Sequence, residues 1–150
     1  MSVDPSTLLA PGAIRLHEKA ADKQAAIRMC GQALVDSGAV QPSYVEAMLA
    51  REESYSTYLG EGVAIPHGTL AGKESVLRDA LCVLRFPDGV DWGAGTVTLC
   101  IGIAAQGNGH VAILAQLAQI LLDPERADAL RRAEEPETVL ALLTPDEGES

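Results

Sequence analysis

The stretch Tyr58-Leu59-Gly60-Glu61-Gly62-Val63-Ala64-Ile65-Pro66-His67-Gly68-Thr69 decides how the rest of the chain is read. Glycines bracket an acidic residue, and three apolar residues then run into a proline. Val63 to Ile65 has the length and composition of a short buried strand, with turn-forming glycines in front of it. Pro66 fixes its own φ and holds Ile65 away from helical conformation. Gly68 removes the side chain that would crowd one flank of the His67 imidazole. A histidine presented this way from a strand end is a candidate nucleophile. Its neutral form is populated at pH 7 and attacks phosphorus with no metal and no base to activate it. The plainer alternative is a buried histidine satisfied by a backbone carbonyl.

Downstream, Val76 to Phe86 contains a strand, ALCVLRF, and Phe86-Pro87-Asp88-Gly89 is expected as a turn. Val97 to Ala105, VTLCIGIAA, is apolar at nearly every position, which predicts a strand covered on both faces. Gln106 to His110 is expected as a loop, followed by a helix, VAILAQLAQILL. Asp123 caps a further helix with Pro124 at its first position and Arg131-Arg132 near its end. Pro136 opens a last short helix with Val139, Leu140, Leu142 and Leu143 inward. Upstream, Ser43 and Glu46 have the spacing of a capping box, and the helix they open would turn Val45, Met48 and Leu49 inward and end near Arg51-Glu52-Glu53. Asp22 caps an earlier helix with Ala25, Ala26, Met29, Cys30, Ala33 and Leu34 at helical spacing and Gly38 as its stop.

Strands alternating with helices predict an α/β fold with a mixed or parallel sheet covered on both faces. Sites in such sheets gather where strands end and helices begin. His67 and His110 both stand at such places. The chain divides into a flexible arm over 1–12, one domain over 13–144 and an acidic tail over 145–150.

The 150 residues suit a single domain able to bury about 70% of its unfolded surface. With aromatic content at 3%, the core falls to Leu, Ile, Val and Ala. A net charge of −10 disfavours nucleic-acid backbones and anionic membranes, and would steer a basic protein face. Cys30, Cys82 and Cys100 form no CxxC pair, and 82 and 100 lie in apolar runs. Buried reduced thiols and a cytoplasmic location are expected. Neither a signal peptide nor a membrane-spanning run is evident.

The remaining candidates are weighed in turn. His17, in RLHEKA, has Ala21 where a zinc motif needs its second histidine, and is expected to be an exposed loop residue. His110 is either a wetted residue of a first helical turn or part of a phosphoryl cradle. Gly107, Asn108 and Gly109 would let backbone amides converge at a helix N-terminus. His67 and His110 as two metal ligands would need a third, and Asp91 and Glu61 show no ligand spacing, so no metal is expected. No GxSxG elbow points to a serine hydrolase.

The stretch YLGEGVAIPHGT, with YVEAMLARE before it and IGIAAQGNGHVAILAQLAQIL after it, resembles the enzyme IIA domains of the bacterial phosphoenolpyruvate-dependent sugar phosphotransferase system, mannitol/fructose type. The likeness extends from about Ile14 to Leu143 and is nearest the mannitol branch. It implies a mixed, mostly parallel sheet of about five strands with helices on both faces. It implies that His67 is phosphorylated at Nε2, that His110 stabilises the phosphoryl group, and that Arg51 and Glu61 are active-site residues. The implied donor is the phosphocarrier HPr, and the implied acceptor is a cysteine of enzyme IIB, with enzyme IIC in the membrane. No cofactor is implied, since fixed donors stand in for magnesium. A regulatory module that binds partners according to phosphorylation state is the alternative. The stretch between Gly89 and Val97 is shorter than in mannitol representatives, a loss expected in a surface loop.

Overall fold

The computed structural model describes residues 8–143 apart from 55, 69–73, 94 and 107–108, and the side chains at 10, 11 and 109–111 lie outside the description. Its centre is β5 (Thr96–Ala104), the apolar run identified above. β5 lies between β4 (Ala80–Asp91) and β3 (Val63–Ala64), with β1 (Leu9–Arg15) and β2 (Tyr58–Gly60) on the edges, in the order β1-β4-β5-β3-β2. The sheet is mixed: β1–β4 and β3–β5 are parallel, β4–β5 and β2–β3 antiparallel.

Both faces are covered, as a doubly apolar central strand requires. On one face Ala80, Cys82 and Leu84 of β4 and Cys100 and Ala104 of β5 meet α1 (Lys23–Asp36) and α2 (Ser43–Ser54). On the other, Leu81, Val83, Leu99, Ile101 and Ile103 meet α3 (Gly109–Leu121), α4 (Pro124–Arg131) and α5 (Pro136–Leu143). The period-two alternation along β4 and β5 sorts the side chains into these two cores. Each such aliphatic side chain, fully buried, contributes about 1.5–3 kcal/mol.

Small residues set how closely the layers approach. A Cβ on Gly102 would lie 2.5 Å from Cys82 Sγ and 3.3 Å from Cys30 Cβ, so α1 sits over a glycine in mid-strand. The three cysteines are buried and reduced, as expected from sequence. Cys82 Sγ donates to Cys30 O at 3.4 Å. The Cys30 thiol is pushed well up, chiefly by its hydrogen bond with Cys100 and further by burial; that of Cys82 is raised by its bond with Cys30 and by burial.

Local signals hold at two caps. Asp22 Oδ1 accepts from Ala25 N at 2.8 Å, and Asp123 Oδ1 from Glu125 N at 3.0 Å. Gly38 takes a positive φ of 79° just past α1. Four expectations are corrected. The Phe86–Gly89 turn is absent: β4 runs through it, and four residues (86–89) face Thr98 alone between the Arg85–Leu99 and Val90–Val97 pairs. Pro87 and Gly89 therefore make a bulge, and the reversal falls at Trp92–Gly95, where Trp92 N donates to Gly95 O at 2.9 Å. The capping box is absent too, because Ser43 Oγ shares a 2.6 Å hydrogen bond with Ser75 Oγ. Carbonyls of Gln41 and Pro42 receive the Tyr44 and Val45 amides instead. The buried face of α2 is Tyr44, Met48 and Glu52, while Val45 and Leu49 are half-buried. Finally, β1 begins at Leu9, so the expected arm gives up 9–12 to the sheet. An edge strand tolerates Pro11, and the register shifts between Leu9 and Ile14. Residues 1–7 and the expected tail over 145–150 lie outside the described residues.

Candidate functional site

Three residues beyond β3, the chain still runs beside β5. Ile103 N donates to Pro66 O at 2.9 Å, and His67 forms a parallel bridge with Ile103. β5 ends one residue later, and α3 begins at Gly109. His67 therefore stands where two parallel strands finish and a helix starts, on the carboxyl side of the sheet where α/β sites form. His110 is the second residue of α3, so the topology brings both histidines to the same end of the sheet. The loop residues 107 and 108 lie outside the described residues.

The half-buried His67 ring has a defined orientation. Its Nδ1 lies 2.9 Å from Ile65 O. A carbonyl only accepts, so Nδ1 carries the hydrogen and the lone pair of the neutral ring is on Nε2. Ile65 is itself fixed, because Ile65 N donates to Thr57 O at 3.0 Å. Thr57 is held in turn by Glu52, whose two oxygens each receive Thr57 N at 3.1 Å and one of which receives Thr57 Oγ1. Glu52 is a carboxylate only 6% exposed. Trp92 Nε1 donates to it at 3.1 Å and Lys23 Nζ lies 3.7 Å away, so the buried charge is well supplied with donors. A hydrogen-bonded path thus runs from the last turn of α2 through Thr57 and Ile65 to the imidazole.

Gly68 also packs against α2. A Cβ there would fall 2.5 Å from Tyr44 Cε1 and 2.9 Å from Tyr44 Cζ, so the glycine makes room for the Tyr44 phenol. Gly68 N donates to Tyr44 Oη at 2.8 Å, and Tyr44 Oη donates to Ile103 O at 2.8 Å. Burial pushes the phenol up to about 12, against a smaller lowering by the Gly68 amide.

Arg51 lies half-buried in the last turn of α2, beside Glu52. Glu61 is set apart. It forms the β2–β3 turn with φ 54°, between Gly60 at 105° and Gly62 at 81°. Thr98 N and Leu99 N both donate to Gly62 O, while His67 is level with Ile103. Five residues of β5 separate those levels, about 17 Å at strand spacing. The backbone of Glu61 thus stands at the opposite end of the 61–67 segment from the imidazole. Arg131 Nη1 of α4 donates to Glu61 O at 2.8 Å and holds the turn. His17 is exposed, as expected.

Sequence reasoning missed Tyr44, Glu52, Thr57 and Arg131. The available signal was scarcity: Tyr44 is one of three tyrosines in a chain with one tryptophan and one phenylalanine. Among the described residues no group of three His, Cys, Asp or Glu is arranged to hold a metal ion, and no helix is long and apolar enough to cross a membrane.

A histidine where two parallel strands end and a helix begins, its Nδ1 turned to a backbone carbonyl, stands where α/β domains place their sites. Comparison with known proteins narrows this. Residues 7–145 match the family described as phosphoenolpyruvate-dependent sugar phosphotransferase system, EIIA 2, and the chain belongs to that family. It is 40% identical over 131 residues to the mannitol-specific phosphotransferase enzyme IIA component of Geobacillus stearothermophilus, covering 87% of this chain and 90% of that one. It is 47% identical over 127 residues to a multiphosphoryl transfer protein of Escherichia coli O157:H7, covering 84% of this chain but 34% of that longer protein. Among solved structures, the Escherichia coli complex of enzyme IIA mannitol with phosphorylated enzyme IIB mannitol contains a chain with TM-score 0.83 and 38% identity, covering 91% of this chain and 98% of that one.

Proposed function

We propose that this protein is a phosphocarrier that accepts a phosphoryl group on His67 Nε2 from HPr and passes it to a cysteine of an enzyme IIB. The observation that carries this is the 2.9 Å contact of His67 Nδ1 with Ile65 O at the junction of β3, β5 and α3. Attack by Nε2 forms the new N–P bond as the N–P bond of the donor phosphohistidine breaks. No proton has to move at His67: Nδ1–H stays in place, and Ile65 O stabilises the positive charge that develops on the ring. The transition state is loose, so catalysis is positioning plus stabilisation of the equatorial oxygens. Arg51 supplies a charge-assisted pair, and His110 with the amides opening α3 supplies donors and the positive end of a helix dipole. In the second transfer an S–P bond forms on the acceptor cysteine as the His67 N–P bond breaks. No metal or cofactor takes part.

Glu61 is assigned to the partner-facing rim. A non-glycine residue with a left-handed backbone is retained at a cost, which points to a use for its side chain. The names of the relatives support mannitol or a related sugar as the cargo, and the mannitol-specific EIICBA component of Pasteurella multocida supports an enzyme IIC as a further partner; the proposed site of action is the cytoplasm. The test is intact-protein mass after incubation with phosphoenolpyruvate, enzyme I and HPr. One acid-labile phosphoryl group on wild type and none on His67→Ala is expected. No gain on wild type while HPr is labelled overturns the proposal.

A further inference from the structure

We infer that Tyr44 is a positioning residue for phosphoryl transfer: its hydroxyl clips the His67–Gly68 segment to the end of β5 and so fixes where His67 Nε2 stands. The inference rests on the phosphocarrier reading of His67 and deepens it.

Tyr44 belongs to the buried face of α2 and is 4% exposed. Its hydroxyl has one hydrogen to donate, and that hydrogen goes to Ile103 O at 2.8 Å. Its lone pairs receive Gly68 N at 2.8 Å. Those two partners flank the site on both strands: Ile103 is the residue bridged to His67, and Gly68 is the next residue in the chain. At this point the β3–β5 ladder has ended as regular structure, since β3 stops at Ala64. Beyond the Ile103 N to Pro66 O bond, the phenol ties the Gly68 amide and the Ile103 carbonyl together. Without it, the Gly68 amide and the Ile103 carbonyl lose their shared partner.

The absence of a side chain at Gly68 carries the same inference independently. A Cβ would stand 2.5 Å from a Tyr44 ring carbon, so the ring and the loop are in direct packing contact as well as hydrogen-bonded. His67 is then held from two sides. Ile65 O on the N-terminal side sets the ring rotation, and the Tyr44 clip on the C-terminal side sets the backbone. Group transfer between two proteins needs the attacking atom in line with the donor, and misplacement by about 1 Å costs on the order of 10²-fold in rate. Tyr44 and Arg51 stand on the same helix, α2.

The test is Tyr44→Phe, which keeps the ring and removes only the bridge. Two readouts are taken on the same protein. The first is the single-turnover rate of phosphorylation by phospho-HPr as a function of HPr concentration. The maximal rate is expected to fall about tenfold or more while the HPr concentration for half-maximal rate stays within about twofold, because docking is untouched. The second is the nitrogen-15 spectrum of the His67 ring in the unphosphorylated protein without partners. Wild type is expected to show the Nδ1–H form, and Tyr44→Phe a mixture of both tautomers. Leu34→Val, a truncation in the same core away from the loop, serves as the control for stability. It is expected to lower Tm with no change in either readout. Wild-type rate and an unchanged His67 spectrum in Tyr44→Phe would overturn the positioning role, as would an equal rate loss in Leu34→Val. Failure of wild type itself to be phosphorylated would instead overturn the phosphocarrier reading, and the spectrum would still report whether the clip orients the ring.

Discussion

Glu52→Gln is the substitution whose effect can be worked out most fully. The carboxylate accepts Thr57 N and Thr57 Oγ1 on one oxygen and Thr57 N and Trp92 Nε1 on the other, with Lys23 Nζ at 3.7 Å. A glutamine of the same shape has one acceptor oxygen and one donor nitrogen. Turned one way, its NH2 group faces the Trp92 indole N–H and takes away that donor's acceptor; turned the other, the Thr57 hydroxyl has to reverse and accept, and Thr57 N keeps a single acceptor oxygen. Either arrangement gives up a hydrogen bond to a charged acceptor, a loss of about 1.5–3 kcal/mol. Loss of charge assistance to the remaining bonds and of the Lys23 partner, itself 27% exposed, brings the whole to about 3 kcal/mol. For a chain of this size that lowers Tm by about 6–12 °C. Trp92 is the only tryptophan and is buried against this carboxylate, so urea unfolding followed by its fluorescence reads the site directly. In a Trp92→Phe background, unfolding followed by circular dichroism should show Glu52→Gln costing about 1 kcal/mol less, because the opposed indole donor is gone. A Glu52→Gln stability within about 0.5 kcal/mol of wild type would refute the assignment of Glu52 as a fully engaged acceptor.

Other consequences concern pH, the turn and the second histidine. The Tyr44 phenol is raised from 10.0 to about 12 in the folded chain, so its contribution is whole below pH 10 and is lost as pH rises toward 12. Cys30 and Cys82, raised well above 9.0, add a loss that begins near pH 9. Alkaline unfolding should therefore steepen above pH 9, and Tyr44→Phe should remove the part of the slope above pH 10. Glu61→Gly should relieve its φ of 54° and raise stability by about 1 kcal/mol while slowing transfer between the carriers. A fall in Tm would contradict the strain. His110→Ala should still be phosphorylated, about tenfold or more slowly or with slowed onward transfer, because it loses a phosphoryl donor and not the nucleophile. If His110→Ala could not be labelled while His67→Ala could, the two roles would be exchanged.

What was legible in the sequence was local. Asp22 and Asp123 announce their helices because a cap is satisfied within three residues. The doubly apolar run at 97–105 announces a covered central strand because nothing else tolerates that pattern. The Pro-His-Gly stretch announces its histidine, and the flanking blocks carry the family likeness. What was hidden depends on partners far along the chain. Ser43 has the spacing of a capping box, yet its hydroxyl is taken by Ser75, 32 residues away. Phe86-Pro87-Asp88-Gly89 reads as a turn, but β5 continues beyond it and turns it into a bulge. Tyr44 and Glu52 read as ordinary helix residues, because their partners Ile103 and Trp92 lie 59 and 40 residues away. Glu61 stands six residues before His67, and only the register with β5 sets it at the far end of the strand.

The most direct test of the account is the position of the phosphoryl group on the His67 ring, read by phosphorus and nitrogen-15 magnetic resonance of the phosphorylated protein. The Nδ1 contact with Ile65 O predicts a phosphoryl group on Nε2, with Nδ1 still protonated and its hydrogen retained in the bond. A phosphoryl group on Nδ1, or on any residue other than His67, would contradict it.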